Sequence, residues 1–295
     1  MLTEDVARKA IMGARIMNNG ELLAPYGGHA PDDTIAALKV VQENREEFKQ
    51  LVLCKLDTLP LFSRYFGSLV RTRLNQEGFL VSPLIGSIFD SPNRVEERLR
   101  IITESGVAGL EFIKKEYRHG SNSPTKGNET DKVARDLLAE ILAIYFLVQL
   151  GFIDIERPYS QSQPHVDILA IKDGQAYAIE ITRKQEIGHW RTLRFGNLED
   201  CSHSDNLAEI RRVLRACLGK KNWQFARAIA VGTVDVEARK VVAIKTSDYG
   251  FAECSEQAET ILRNLLVISQ DEFEHIDCVW LLPNVESRDS KWICK

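Results

Sequence analysis

The segment at residues 165–184, HVDILAIKDGQAYAIEITRK, restricts the fold more than any other part of the sequence. An Asp-Gly pair at 173–174, between two apolar runs, predicts a β-hairpin, because a type I′ turn needs positive φ at both central residues. A two-residue turn at these positions sets a register in which Asp167 lies directly opposite Glu180. Two carboxylates so placed repel each other, so we expect a partner that neutralises them.

The two faces of this predicted hairpin differ in character, because alternate strand residues point the same way. We expect the face with the carboxylates to be a site and the opposite face to pack against the core. Carboxylate oxygens suit Mg²⁺ or Mn²⁺, which keep several waters and take few protein ligands, better than they suit zinc. The first face carries His165, Asp167, Leu169, Ile171, Ala178, Glu180, Thr182 and, if the strand runs on, Lys184; the other carries Val166, Ile168, Ala170, Ile179 and Ile181.

The composition, with 44% hydrophobic residues and a net charge of -4, indicates a globular chain that does not coat nucleic acid by bulk charge. Six cysteines without CxxC pairs predict reduced thiols in the cytoplasm rather than a disulfide framework. The acidic start, MLTEDVARKA, predicts that no signal peptide is present. The apolar run at 141–148 is far shorter than the roughly 20 residues that span a bilayer, so we expect no membrane contact.

The pattern along the chain changes near residues 119–128, HGSNSPTKGN, which contain no apolar residue and predict a linker. Residues 1–118 predict an all-α N-terminal domain, which we expect to contact substrate, a partner protein or a second copy in a homodimer. Residues 129–295 predict a mixed α/β domain. Predicted helices cover 4–18, 33–54, 60–75, 95–117, 129–150, 205–219 and 255–267, and further strands cover 226–234, 240–245 and 278–283.

A helix and a hairpin in the second domain carry acidic residues in an order that resembles a known family. Glu140 lies in the predicted helix LLAEILAIYFLVQLGF, Asp167 in HVDILA and Glu180 in AIEIT. Over roughly 129–245 the chain resembles the PD-(D/E)XK nuclease superfamily, in which a helix glutamate precedes an aspartate and then an acid-X-lysine on the next strand. The resemblance implies a restriction-endonuclease-like fold, a mixed sheet flanked by helices.

The resemblance implies a metal-dependent nuclease that hydrolyses phosphodiester bonds, with DNA as the expected substrate and a role in restriction, repair or defence. Asp167 and Glu180 would hold Mg²⁺ or Mn²⁺, and Glu140 would ligate the ion directly or through water. Thr182 stands where the family has its lysine. We expect Lys184, two residues further along the strand, to replace it and to orient the nucleophile.

A local excess of basic residues follows the hairpin. Between 183 and 227 the sequence has ten Lys or Arg residues against five acidic ones. Such a segment can contact successive phosphates, or it can simply be a solvated helix face. The residues that we expect to bind nucleic acid are Arg183, Arg211, Arg212, Arg215, Lys220 and Lys221.

Two alternatives accompany the nuclease hypothesis. Because Thr182 replaces the motif lysine, the domain could be a degenerate nuclease-like fold that only binds nucleic acid or protein. A zinc site could also be drawn from four His and Cys residues, but their spacing matches no usual ligand pattern. Those residues are His189, Cys201, His203 and Cys217.

Overall fold

The computed structural model describes residues 2–18, 31–76, 78–113, 127–160, 162–184, 204–246, 255–268, 271–282 and 291–295. These residues form nine α-helices and one six-stranded mixed sheet, which confirms the α/β class. Contacts divide the chain into two compact units. The first, helical unit comprises Met1–Glu104 and Leu110–Ile141, and the second, α/β unit comprises Ser105–Gly109 and Leu142–Lys295.

This division differs from the boundaries expected from the sequence, because a long helix, Gly127–Gln149, contributes to both units. Most of the linker expected at 119–128 falls outside the described residues, and Gly127 already begins that helix. The assignment of residues 1–118 and 129–295 to separate domains therefore stays a prediction.

The helical unit differs from its prediction in three places. The helix expected at 95–117 ends at Glu104, before a turn in which Gly106 has a φ of 72°. The helix expected at 33–54 is two helices, because Asn44 adopts φ −117° and ψ 42° and its side-chain amide donates to the carbonyl of Val40. A helix at Pro83–Asp90 was not predicted. The helices are α1 (Glu4–Asn18), α2 (Asp32–Glu43), α3 (Arg45–Asp57), α4 (Pro60–Leu74), α5 (Pro83–Asp90) and α6 (Pro92–Glu104), with 3₁₀ turns at Phe79–Val81 and Leu110–Phe112.

The packing of this unit combines an apolar core with one carboxylate cap. Glu96 on α6 accepts hydrogen bonds from the backbone N–H groups of Leu61 (2.8 Å) and Phe62 (2.9 Å) at the start of α4. These N–H groups have no partner within their own helix, so the contact fixes α6 against α4. The largest buried side chains of this core are Phe48, Phe62, Phe66 and Phe89.

The α/β unit contains a single sheet whose strands follow the chain in order, β1-β2-β3-β4-β5-β6. Strands β3, β4 and β5 are parallel, and the remaining neighbours are antiparallel. The elements are α7 (Gly127–Gln149), β1 (Ile153–Glu156), β2 (Ile168–Lys172), β3 (Gln175–Lys184), α8 (Ser204–Ala230), β4 (Arg239–Thr246), α9 (Ser255–Ile268), β5 (Cys278–Leu282) and β6 (Lys291–Cys294).

Helices α8 and α9 cover one face of the sheet. Parallel neighbours need a crossover connection, and these two helices are the crossovers from β3 to β4 and from β4 to β5. One core joins α8, α9 and this face, with buried side chains that include Leu214 and Leu218 from α8, Leu262 and Leu266 from α9, and Ala178, Val242 and Ile244 from the sheet.

Several expected elements of this unit need correction. The strand expected at 226–234 is wrong, because α8 continues to Ala230 and is followed by a turn. A short apolar run has no periodicity that separates a strand from a buried helix segment. Strands β1 and β6, of four residues each, were not predicted.

Cys278 and Cys294 form a disulfide between β5 and β6. They are directly opposite each other in the antiparallel register, with their Cα atoms 4.1 Å apart. The expectation that all six cysteines are reduced is therefore wrong for this pair, because residues far apart in the sequence meet through a strand that was not predicted. Cys54 and Cys217 are free thiols. The cytoplasmic location stays a prediction, without this support.

None of the helices in the described residues is both long enough and apolar enough to cross a bilayer. This result includes α8, the longest helix, which carries basic residues along much of its length.

Candidate active site

The hairpin has the turn and register that the sequence predicts. Asp173 and Gly174 have φ values of 52° and 75°, as a type I′ turn requires. The paired residues run from Lys172 opposite Gln175 to Ile168 opposite Ile179. One step further along the same register is Asp167 opposite Glu180, so the carboxylates are brought together as expected.

Asp167 is fixed by the neighbouring strand. Its Oδ2 atom accepts a hydrogen bond of 2.6 Å from the backbone N–H of Ile181. Strand β2 begins only at Ile168, so the carboxylate takes the place of a backbone acceptor beside β3. The side chain is 31% exposed, which leaves it within reach of a ligand from solvent.

Glu180 is more buried than the sequence analysis expected. Its side chain is 1% exposed, because α8 lies over the sheet face that carries it. Ala178 on the same face of β3, and Val242 directly beside Glu180 on β4, both belong to the core beneath that helix. The opposite face is buried too, including Ile179. Both faces of β3 are therefore buried, whereas only the face opposite the carboxylates was expected to pack against the core.

Lys221, on α8, is the cation that neutralises the pair. Its Nζ atom lies 2.5 Å from Oε2 of Glu180 and 3.7 Å from Oδ2 of Asp167. The lysine side chain is only 10% exposed, so it is not part of an exposed basic patch as the sequence analysis expected. We call Asp167, Glu180 and Lys221 the acid–lysine cluster.

The position of Lys221 follows from the period of α8. Leu214, Cys217, Leu218, Phe225 and Ala228 form the buried stripe of the helix, and Lys221 lies within that stripe. This contact of Lys221 was not predicted, because the predicted helix ends at Gly219. A lysine at a core position of a longer helix would have been the signal.

The cluster shifts the proton affinities of its members. Burial raises the pKa of Glu180 to about 8; the charge of Asp167 acts in the same direction and Lys221 opposes both. Burial lowers the pKa of Lys221, but the two carboxylates outweigh it, so the net shift is upward. At neutral pH the lysine is therefore charged and Glu180 carries a proton much of the time.

A divalent cation fits this set of donors. The two carboxylates are accompanied by one lysine, so one negative charge is left when both are ionised. The charge of Asp167 adds to the effect of burial in raising the pKa of Glu180. Asp167 and Glu180 could hold Mg²⁺ or Mn²⁺, with water completing the coordination as is usual for Mg²⁺. Within the described ranges, no group of three or more His, Cys, Asp or Glu side chains is gathered for a metal.

Neither a protein-family model, nor a curated protein, nor a solved structure matches this chain. The function is therefore inferred from the geometry of the acid–lysine cluster and of the elements that position it.

Two further residues, Glu140 and Lys184, were predicted to be catalytic. Glu140 is half-buried on α7, in the part of that helix that belongs to the helical unit, and its role stays a prediction. Strand β3 runs on to Lys184, whose backbone pairs with Thr246, as the sequence analysis required. The side chains of Arg183 and Lys184 fall outside the described residues.

The expected basic residues of α8 are in different environments. Arg211, Arg212 and Lys220 are exposed. Arg215 is exposed but makes a two-pronged ion pair with Glu272, with distances of 2.9 Å from Nε and 2.6 Å from Nη2. Its charge is already balanced, so it is less available to a phosphate than the sequence suggests.

Within the described part of the chain, no group of three or more His, Cys, Asp or Glu residues supports the zinc alternative. Cys217 is buried in the core under α8 as a free thiol. The other three residues, His189, Cys201 and His203, lie outside the described residues.

Proposed function

We propose that this protein is a metal-dependent nuclease that hydrolyses phosphodiester bonds in DNA. The observation that carries the proposal is the acid–lysine cluster, in which a lysine from α8 meets two carboxylates of the hairpin at 2.5 and 3.7 Å. A buried site that gathers two acids and one lysine has a shifted pKa of the kind common at catalytic centres. The order helix, hairpin, helix, parallel strand is also the order implied by the restriction-endonuclease-like fold.

Lys221 takes the role that the sequence analysis gave to Lys184. Its ammonium reaches both carboxylates, so it can hold a water against them and stabilise negative charge on a phosphate oxygen. The N–H of Ile181 keeps the Asp167 carboxylate oriented toward the lysine. Asp167 and Glu180 would hold Mg²⁺ or Mn²⁺, which when bound makes water a stronger nucleophile and offsets charge on the phosphate.

The exposure of the three side chains indicates the side from which substrate approaches. Asp167 is 31% exposed, whereas Glu180 and Lys221 are buried at 1% and 10%. Substrate therefore reaches the cluster past Asp167. The helical unit would contribute contacts to substrate, to a partner protein or to a second copy of the chain, and the protein would act in the cytoplasm in restriction, repair or defence.

The test is a cleavage assay with plasmid, linear duplex, single-stranded DNA and RNA, each with Mg²⁺, Mn²⁺ or EDTA. We expect metal-dependent cleavage that Asp167→Asn reduces on the order of a hundredfold or more. Asp173→Asn is the matched control, because it removes a carboxylate from the turn of the same hairpin, and asparagine tolerates positive φ there. Equal cleavage by the two variants would contradict the proposal.

One observation favours a binding module instead. Thr182 stands at the position of the family's lysine, and Lys221 could be only a structural partner of Glu180. Such a protein would bind DNA with EDTA present as well as with Mg²⁺, and would cleave none of the four substrates.

A further inference from the structure

An exposed tryptophan lies on the side of α8 that is turned away from Lys221. Trp223 is 58% exposed. Two residues along a helix is a rotation of about 200°, so Trp223 points away from the core that holds Lys221. Lys220 and Arg227, three residues before and four residues after it, share its side of the helix and are both exposed. We call Lys220, Trp223 and Arg227 the α8 outer face.

This face is positively charged. Between Glu209 and Asp235 the sequence has six Lys or Arg residues and no acidic residue. Two of the six cations are balanced by acids from elsewhere, Arg215 by Glu272 and Lys221 by Glu180. Lys220 and Arg227 form no ion pair within the described residues, so their charges face solvent.

Trp223 and Arg227 already form a stacking unit. The guanidinium carbon of Arg227 lies 4.6 Å from the centroid of the indole ring. This contact restrains a large apolar ring that is more than half open to water and places a cation beside it. A buried tryptophan is accounted for by its packing in the core. An exposed aromatic ring flanked by two cations is the arrangement that stacks with unpaired bases.

We propose that the α8 outer face binds single-stranded nucleic acid, with one base stacked on Trp223 and neighbouring phosphates at Lys220 and Arg227. These two cations are roughly 10 Å apart along the helix axis, so they can contact the backbone on either side of one stacked base. A duplex keeps its bases paired and hides their faces, and an acidic peptide offers charge without a ring to stack. The face does not include the acid–lysine cluster, so binding is independent of whether the protein cleaves DNA.

The experiment measures the binding of a labelled oligo(dT) strand about 12 nucleotides long, by fluorescence anisotropy in EDTA and low salt. An RNA strand, a duplex of the same length and an oligoglutamate peptide serve as competitors. We expect Trp223→Ala to weaken binding roughly tenfold to a hundredfold, while Trp223→Phe, which keeps an aromatic face, stays close to wild type. Arg227→Gln and Lys220→Gln should each lower the slope of log affinity against log salt by about 0.7.

The control is Arg263→Gln, which removes an exposed arginine of α9 that is paired with Glu259. It should bind the strand as wild type does, and circular dichroism should show all variants folded. Unchanged binding by Trp223→Ala would overturn the proposal. A duplex or oligoglutamate that competes better than the single strands would overturn it too, because neither supplies an unpaired base.

Discussion

Helix α8 contributes the basic residue of two ion pairs that differ mainly in their exposure to water. Arg215 and Glu272 have side chains that are 57% and 38% exposed, and their contact is two-pronged. Lys221 and Glu180 are 10% and 1% exposed, and Asp167 adds a second acid beside them. The two pairs are less than two helical turns apart on one helix, so the comparison isolates burial and charge balance from secondary structure.

The two pairs therefore differ in the protonation of their glutamates near neutral pH. Arg215 lowers the pKa of Glu272, as an ordinary surface partner does, and both groups stay ionised at neutral pH. Burial and Asp167 raise the pKa of Glu180 despite the adjacent lysine. Only the buried pair therefore holds a proton that can be gained or lost near neutral pH, and only it has an excess acid to share with a cation.

The largest effect on stability is expected when the buried lysine is removed. Lys221→Met should lower the free energy of unfolding by about 3–5 kcal/mol at pH 9, because it leaves Glu180 and Asp167 without their cation. The loss should be smaller at pH 6, where Glu180 is protonated. Denaturant unfolding at the two pH values measures both. A loss that does not depend on pH would contradict the assigned charges.

The next effect is the pH dependence that Glu180 confers on wild-type stability. Its pKa is about 8 in the folded protein against 4.5 for an ordinary glutamate. Between these values the folded state binds more protons, so the stabilisation is full below about pH 4.5 and is lost as the pH rises through 8. Each unit of pKa shift corresponds to about 1.4 kcal/mol.

Glu180→Gln should flatten this part of the stability curve, measured by denaturant unfolding from pH 5 to pH 9. Glu272→Gln is the control and should leave the curve's fall intact, because Arg215 lowers the pKa of Glu272 rather than raising it. A wild-type protein whose stability rises between pH 5 and pH 8 would argue against a protonated Glu180.

The smallest effect is expected at the exposed pair. A double-mutant cycle with Arg215→Ala and Glu272→Ala should give a coupling energy of about 0.2–1 kcal/mol that high salt removes. A coupling as large as that of the buried pair would show that burial is not what separates the two.

The hairpin could be read from the sequence because its determinants are local. The Asp-Gly turn at 173–174 fixes the register, and the register alone places Asp167 beside Glu180. Strands β4 and β5 could be predicted from the short apolar runs KVVAIK and CVWLLP, whose determinants are local too. Neither inference needed to know what packs above the sheet.

The contact of Lys221 with the two carboxylates could not be found in this way, because Lys221 lies on a helix that reaches the hairpin only in the folded chain. Gly219 suggested a helix end, yet α8 continues for eleven residues beyond it, held by its apolar stripe rather than by local propensity. Strand β6 and its disulfide were missed similarly, since Cys278 and Cys294 meet only through sheet pairing.

The most direct test of the account compares two lysines in single-turnover cleavage of DNA with saturating Mg²⁺ at pH 7. The central claim is that Lys221, 2.5 Å from Glu180, takes the role of the lysine that the nuclease superfamily has at the position of Thr182. Lys221→Met should slow hydrolysis on the order of a hundredfold or more, with DNA affinity nearly unchanged, whereas Lys184→Met should cleave within a few-fold of wild type. Loss of cleavage in Lys184→Met with normal rates in Lys221→Met would contradict the claim. It would assign the role of the motif lysine to Lys184 on β3.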